Sequence, residues 1–566
     1  MAWKRIERRA AGPVVAFPGL HPVLARVYAA RGIADATEID DALGALAHWA
    51  ALGSIDRAVA LLVDALGANQ RILVVGDFDA DGATSAALTV GVLRAFGATH
   101  VDFLVPNRFE YGYGLTPEIV ALASEKFSPD LIVTVDNGVS SHAGVDAAHA
   151  RGIKVLVTDH HLPGRTLPAA DAIVNPNLAD DGFPSKALAG VGVVFYLLLA
   201  LRNALGAVGE AVRLADWLDL VAVGTVADVV PLDHNNRILV AQGLKRIRAG
   251  RCRPGITALL RAAGRDPARA CASDIGFGVA PRLNAAGRLE DMSVGIACLL
   301  ADDAESAAGL AAQLDTLNVE RRDIERQMHE QALDALQRLP AEASAAGVCL
   351  YEPGWHQGVV GIVASRVKEK LHRPVIAFAR SGPGELKGSG RSIPGFHIRD
   401  ALDTIAARDP ALLQRFGGHA MAAGLSLAER DFDAFARAFD AVAAERLDAA
   451  ALEQVLWTDG PLDPDELCLE LADALRDGGP WGQGFPEPVF DGLFEVVERR
   501  VVGQYHLKLR VQPPGLRRVF DAIAFNTPAE RLGSGAGHAR LVYRLDVNEW
   551  RGNRRVQLVV EHLEPA

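Results

Sequence analysis

Cysteine is scarce. Cys252, Cys271, Cys298, Cys349 and Cys468 are the only five in 566 residues, and no two form a Cys-x-x-Cys pair. That spacing argues against a disulfide framework or a structural zinc site and fits a reducing cytoplasm, the expected location. Long apolar runs are missing as well. The longest, Gly190 to Leu201, stops at Arg202. A bilayer crossing needs about 20 residues, so the run reads as a buried helix. The basic opening MAWKRIERRAAGP leads into no uninterrupted apolar core and is not read as a signal peptide. No long polar low-complexity tract is present and 50% of the residues are hydrophobic, so most of the chain is expected to fold. Its length implies about two to four domains.

An excess of positive charge is lacking too, since the formal net charge is −12. The charge is uneven. Glu495 to Ala566 holds 12 Lys+Arg against 8 Asp+Glu, a local +4 that leaves −16 for the remainder. A bound cation would offset part of such acidity locally. Net charge therefore decides neither for nor against a nucleic-acid partner.

What is present is a repeated pattern. RILVVGD, DLIVTVDNG and IKVLVTDHH are short apolar runs that end at Asp77, Asp136 and Asp159. The stretch Ala83–Phe96 between the first two suits a helix. Such alternation implies a parallel, doubly wound sheet, and continuous Val/Ile/Leu runs suit strands covered on both faces. Beyond Pro184 the chain turns helical, and LADWLDLVAVGTVADVVPL carries Asp228 near its end. Residues 302–339 hold few glycines or prolines and read as one long helix, or two in series. A second α/β region runs from near Gly347 to Leu447. Five short β-like runs follow from about Leu456 and suggest a small OB-like barrel. The expected fold class is thus α/β. An N-terminal segment and first α/β domain would fill 1–300, a connecting helix 301–340, a smaller α/β domain 341–450 and the barrel 451–566.

In an open parallel sheet, ligands sit beyond the carboxyl ends of the strands. This brings Asp79, Asp81, Asp136, Asp159, His160 and His161 to one edge, with Asp228 able to join. Alternation in an extended segment would let Asp77, Asp79 and Asp81 project together. A lone Asp after a strand is usually a helix cap or a turn residue. Clustered carboxylates, however, repel unless a cation lies among them. Oxygen ligands plus imidazole suit Mg²⁺ or, better, Mn²⁺. Two such ions would share a bridging carboxylate and prepare water for attack on phosphorus.

Other segments suit phosphate and bases. GSGRS (388–392) reads as a short glycine turn with Ser389 and Arg391 for an anion. PNRFEYGYGL offers Arg108, with Tyr111 and Tyr113 for stacking or packing. PRLNAAGRL carries Arg282, Asn284 and Arg288, at least one expected to face phosphate. Gly417-Gly418-His419 is a tight turn, and His419 either contacts substrate or shapes the domain. The barrel would present Arg510, Arg517, Arg518, Arg551, Arg554 and Arg555 beside Tyr505 and Trp550, either a solvated surface or a groove for single strands.

GDFDADG, VDNG, TDHH and GTVAD resemble the four motifs of the DHH phosphoesterase superfamily. GWHQGVVGIVASR, GSGRS and GGHAMAAG resemble its DHHA1 domain. PRLNAAGRL and PWGQGFPEPVF are similar to the RecJ branch, the single-strand-specific DNA exonucleases. The resemblance spans nearly the whole chain in the family's order. It implies a 5′→3′ single-stranded-DNA exonuclease that releases 5′ mononucleotides with two Mn²⁺ or Mg²⁺ ions. It implies Asp79, Asp81, Asp136, His160 and Asp228 as metal ligands, Asp136 as the bridge, and Asp77, Asp159 and His161 as orienting residues. The residues alone do not choose between His160 and His161. Ser389 and Arg391 would hold the 5′ phosphate, with Arg108, Arg282, Asn284 and His419 as further substrate-contacting candidates. The implied roles are recombination and repair, as a monomer, with single-stranded DNA, a single-strand-binding protein and a helicase as partners and no membrane. The other readings are a DHH enzyme acting on oligoribonucleotides, cyclic dinucleotides or pyrophosphate, and a non-catalytic scaffold. The barrel argues against the first and the intact acidic motifs against the second.

Overall fold

Five apolar runs pair into one parallel sheet in the computed structural model. They are β1 (Ile72–Gly76), β2 (Val101–Leu104), β3 (Leu131–Val135), β4 (Lys154–Thr158) and β5 (Ala172–Val174), in the order β2-β1-β3-β4-β5. The structure describes residues 5–566 apart from 11, 13–16, 18, 107–110, 112–113, 338–344, 449–450, 504–505, 533–536 and 551. Every residue of β1 and β3 is buried, as their unbroken hydrophobicity requires. The strand β5 was not anticipated, because its three residues AIV are too short to carry a pattern.

The sheet belongs to a unit made of Arg8–Asp315 and Trp457–Ala566. Helix α1 (Ala80–Ala95) and helix α2 (Gly190–Ala204) pack together in it and are buried on nearly all sides. The run that was too short for a membrane is thus a core helix. Among the described residues no helix is long and apolar enough to cross a membrane. Helix α3 (Leu218–Ala227) packs on α1 and α2 and ends at Asp228. Helix α4 (Ala280–Leu289) follows a π-helical turn over Ile275–Val279. Helix α5 (Ala304–Gln337) is the long helix expected from composition, and it carries the chain from this unit into the next.

The second unit comprises Met1–Glu7 and Thr316–Leu456. Its sheet is built from β6 (Val348–Tyr351), β7 (Val375–Gly382), β8 (Glu385–Arg391), β9 (Arg415–Gly418) and β10 (Ala422–Ala428), in the order β9-β10-β8-β7-β6. Helix α6 (Val360–Leu371) covers one face. The GSGRS segment is not the turn expected from its glycines. It lies on β8, paired on both sides by β7 and β10. Its glycines make room for neighbours. A Cβ on Gly388 would come within 2.5 Å of the Phe378 ring, and one on Gly390 within 2.6 Å of Ile398 Cδ1.

The last five runs close a barrel: β11 (Phe490–Val502), β12 (His506–Gln512), β13 (Phe520–Ala524), β14 (His538–Trp550) and β15 (Asn553–Pro565), ordered β11-β12-β13-β15-β14. Only β13 and β15 pair in parallel. The barrel is tied to the rest of its unit by the linker that leads into it. Asp459 takes a buried ion pair from Arg31 at 2.8 Å. In the PWGQGF segment, Trp481 stacks on Phe485 at 5.0 Å, Arg237 lies 4.4 Å over the Phe485 ring, and Leu232 N donates to Gln483 O at 2.7 Å.

Candidate metal centre

The acidic edge forms where β1, β3 and β4 end side by side. After β1 the chain turns directly into α1. Asp79 is the N-cap, its Oδ1 accepting from Asp81 N and Gly82 N at 3.0 Å each. Asp81 is therefore helical, and the extended alternation expected for Asp77, Asp79 and Asp81 is not what gathers them. The helix turns Asp81 inward instead. Its carboxylate accepts from Gly190 N at 2.6 Å and Val191 N at 3.0 Å, at the start of α2. Asn284 of α4 adds an acceptor for Ala80 N at 2.7 Å, so its amide braces the turn that carries Asp79 and Asp81.

Asp136 follows β3 with φ +62°, a left-handed conformation. Asn137, not singled out in the sequence, supports this turn. Its Nδ2 donates to Val75 O at 3.1 Å and Val135 O at 2.9 Å, clamping the ends of β1 and β3. Its signal was the Asn-Gly pair after an apolar run. Gly190 closes over Asp136 so tightly that a Cβ there would lie 2.6 Å from Asp136 Cβ.

His160 joins the carboxylates directly. Its Nε2 lies 3.1 Å from Asp136 Oδ1, 3.5 Å from Asp228 Oδ2 and 4.0 Å from Asp81 Oδ2. Three donor groups result: Asp136, His160 and His161; Asp81, His160 and Asp228; and Asp77, Asp79 and Asp136. The donor atoms within each group lie within 4.8 Å of one another. His160 and Asp136 each belong to two groups. Asp77 and His161, expected only to orient, supply donor atoms here as well. Asp159 belongs to none of the three. Its Oδ1 lies 2.7 Å from His161 Nδ1 and accepts from His160 N and His161 N, while its Oδ2 accepts from Val139 N at 2.9 Å.

The electrostatics follow from burial and crowding. Burial and then the Asp79 charge push Asp81 up to about 7. Asp136 and Asp228 are raised well above the ordinary carboxylate range by burial and by Asp81 and Asp79. Burial pulls the His161 imidazole down, but the Asp159 hydrogen bond and charge win and hold it at about 9. The same contact keeps Asp159 below its usual value despite burial. Carboxylate oxygens with an imidazole suit Mn²⁺ or Mg²⁺, and a dication removes the repulsion that raises these carboxyls. The donor set fits such ions.

Arg282 is buried, contrary to the phosphate-facing role considered for it. Its guanidinium donates to Gly278 O at 2.7 Å and Ala262 O at 3.1 Å and pairs with Asp315 at 2.7 Å. Tyr111 packs against the core of the parallel sheet. Arg108 and Tyr113 lie outside the described residues, as do Tyr505, Arg551 and the side chain of Trp550. On the barrel, Arg510 pairs with Glu498 and Arg554 with Asp473.

In the second unit Ser389 and Arg391 stand two residues apart on β8 and so share a face. Arg391 Nη1 donates to Ser389 Oγ at 3.1 Å. A Cβ on Gly361, in the first turn of α6, would come within 2.9 Å of both Arg391 Nη2 and Ser389 Oγ. A cation, a hydroxyl and a helix N-terminus thus meet in one corner. His419 sits in the hairpin between β9 and β10, its N donating to Ala422 O at 2.8 Å.

Residues 71–225 match the DHH family N-terminal domain, 344–445 the DHHA1 domain and 458–562 the RecJ OB domain. A single-stranded-DNA-specific exonuclease RecJ of Dickeya dadantii is 56% identical over 571 residues, covering 99% of both chains. The chain belongs to the RecJ family. The RecJ of Escherichia coli is 52% identical over 572 residues, again with 99% of both chains covered. Among solved structures, RecJ of Thermus thermophilus in complex with Mn²⁺ superposes with TM-score 0.83 at 33% identity, covering 99% of this chain and 80% of that one. The same protein in complex with Mg²⁺ gives TM-score 0.77 at 31% identity, covering 99% and 78%. The DHH, DHHA1 and OB architecture read from the motifs is the RecJ architecture.

Proposed function

We propose that this RecJ-family chain is a single-stranded-DNA-specific exonuclease that hydrolyses phosphodiesters from the 5′ end and releases 5′ mononucleotides. The observation that carries the reading is the set of donor groups that meet at Asp136 and His160 on the carboxyl edge of the sheet. Asp79, Asp81, Asp136, His160 and Asp228 would hold two Mn²⁺ or Mg²⁺ ions, with Asp77 and His161 close enough to assist. Bound there, divalent ions supply Lewis acidity that lowers the pKa of water and neutralises charge on a phosphodiester.

The remaining work falls to side chains. Asp159 fixes the orientation of the His161 ring, which in the metal-free centre it also keeps protonated near neutral pH; with ions bound, the same contact would turn the neutral imidazole toward the carboxylates. Gly190 and Val191 amides hold Asp81 in place, and Asn137 holds the Asp136 turn. Arg391 and Ser389 would receive the terminal 5′ phosphate, with the guanidinium offering paired donors. The barrel would bind the strand beyond the cut. In the cell the enzyme would act as a monomer in recombination and repair, in the cytoplasm, with a single-strand-binding protein and a helicase.

The test uses purified protein, Mn²⁺ and oligonucleotides labelled at either end, single- or double-stranded, with Asp136→Ala as control. Mononucleotides should appear only from the 5′ end of single strands, and not with the variant. Cleavage confined to very short RNA would point to an oligoribonuclease, and no cleavage of any substrate to a scaffold.

A further inference from the structure

The two most exposed large apolar side chains among the described residues are Phe277, at 81%, and Val229, at 63%. They line the same cavity, of about 350 Å³, within one unit. Apolar side chains gathered around one cavity, unlike singly exposed ones, point to a ligand-binding groove. Both residues are also held out by unusual backbone. Val229 has φ +60°, which is strained for a β-branched residue, and it directly follows Asp228. Phe277 sits on the π-helical turn Ile275–Val279, a geometry that recurs at functional sites. That turn lies against Val226 of α3 at Gly276, and Arg282 secures it by donating to Gly278 O. The buried arginine thus has a use: it fixes the turn that presents Phe277.

The rest of the lining says what would fit. Arg248 reaches the cavity using only its Nε, on Ala270 O at 2.7 Å, and no carboxylate among the described residues pairs with it. Lys245 and Arg476 also line it, and so do three carboxylates, each in an ion pair: Asp41 with Lys245, Asp477 with Arg476 and Glu487 with Arg544. The far wall is the PWGQGF segment that leads into the barrel. The cavity is thus lined by Ala227 and Val229, the chain neighbours of Asp228, on one side and by the barrel linker on the other, while Asp228 itself is not in its wall. A projecting phenyl ring with an available guanidinium is a surface for a flat heterocycle attached to phosphate.

We propose that this cavity is a base-stacking subsite for the single-stranded substrate. Phe277 is the platform, Val229 packs the base edge, and Arg248 donates to the base or an adjoining phosphate. The inference rests on the nuclease reading above and adds a fixed register between the cut and the barrel. Stacking accepts every base, so the subsite holds a strand without reading its sequence.

The experiment is binding without catalysis. Single strands carrying 2-aminopurine at successive positions are titrated with wild type, Phe277→Ala and Phe277→Trp in EDTA, alongside cleavage of the same strands with Mn²⁺. Wild type should quench 2-aminopurine at one narrow set of positions. Phe277→Ala should lose that quenching and bind about tenfold more weakly, and Phe277→Trp should restore both. An abasic site at the quenched position should weaken wild type by a similar factor and leave Phe277→Ala nearly unaffected. If Phe277→Ala matches wild type in affinity and quenching while wild type still cuts single strands, the subsite is rejected, and the cavity awaits another occupant such as an apolar side chain of a protein partner. If wild type neither binds nor cuts single strands, the nuclease reading itself fails.

Discussion

His160 Nε2 lies 3.1 Å from Asp136 Oδ1, and these two residues join donor groups that would otherwise be separate. The pair is built by two different strand ends. Asp136 arrives through a left-handed turn after β3, and His160 follows β4 one residue beyond Asp159.

Asp136→Asn should uncouple activity from stability. Asn tolerates the left-handed backbone and keeps the side-chain shape. Removing one carboxylate from a buried, mutually repelling set should raise the melting temperature of metal-free protein. Activity should fall by more than about 100-fold, beyond the usual cost of losing a residue that only orients a ligand. Differential scanning fluorimetry in EDTA and an exonuclease assay in Mn²⁺ check both halves. A lower melting temperature would count against the proposed repulsion.

Stability should depend on pH in a direction set by these groups. Asp81 titrates near 7 in the folded chain against an ordinary 3.8, so between those values the folded state binds more protons than the unfolded. Stability of the metal-free protein therefore declines as pH rises through that window. His161, held at about 9 against 6.5, acts in the same direction: its contribution is complete below 6.5 and lost as pH passes 9. The melting temperature in EDTA should drop from about pH 5.5 to about pH 8.5, and excess Mn²⁺ should flatten or reverse the drop by replacing protons. A rising curve in EDTA would contradict the assignment.

Asp159→Asn should release His161. The imidazole loses the partner that raises it, so its pKa should move down toward the ordinary histidine range, visible in an NMR titration. Activity should fall by roughly 10- to 100-fold. An unchanged His161 titration would mean that Asp77 and Asp228 suffice to hold the charge.

Arg391→Ala should affect end recognition more than chemistry. The ratio of kcat/KM for 5′-phosphorylated over 5′-hydroxyl strands should fall toward about 1, a loss of roughly 1.5–3 kcal/mol for a charged hydrogen bond. A preserved ratio with a uniformly lower rate would assign Arg391 to folding of its sheet.

Gly190→Ala should damage the centre by crowding. The new methyl would meet Asp136 Cβ at 2.6 Å and displace the amide that binds Asp81. Mn²⁺ affinity measured by calorimetry should drop at least about tenfold. Wild-type affinity would show that α2 can shift.

The strands and their acidic ends were legible because period, composition and turn residues all agree there. Asp81 was misplaced because an Asp-x-Asp-x-Asp run serves an extended edge or a helix cap equally well, and only the Asp79 hydrogen bonds decide. GSGRS reads as a turn because its glycines signal flexibility, whereas on β8 they accommodate Phe378 and Ile398. Arg282 was offered to phosphate because its partners, Ala262, Gly278 and Asp315, include carbonyls, which have no side-chain signature. The Asn-Gly pair signals a turn at Asn137 but not its clamp on β1 and β3, since both its acceptors are backbone oxygens at strand ends.

The amides that steady Asp81 come from residues 109 and 110 positions later in the chain. During synthesis the acidic segments through His161 emerge before that helix exists. Until it docks, Asp81 lacks the two amides that fix its carboxylate. An ion centre built on Asp81 would therefore form only after α2 has docked. The acidic edge gains its final geometry only once the domain around it has closed.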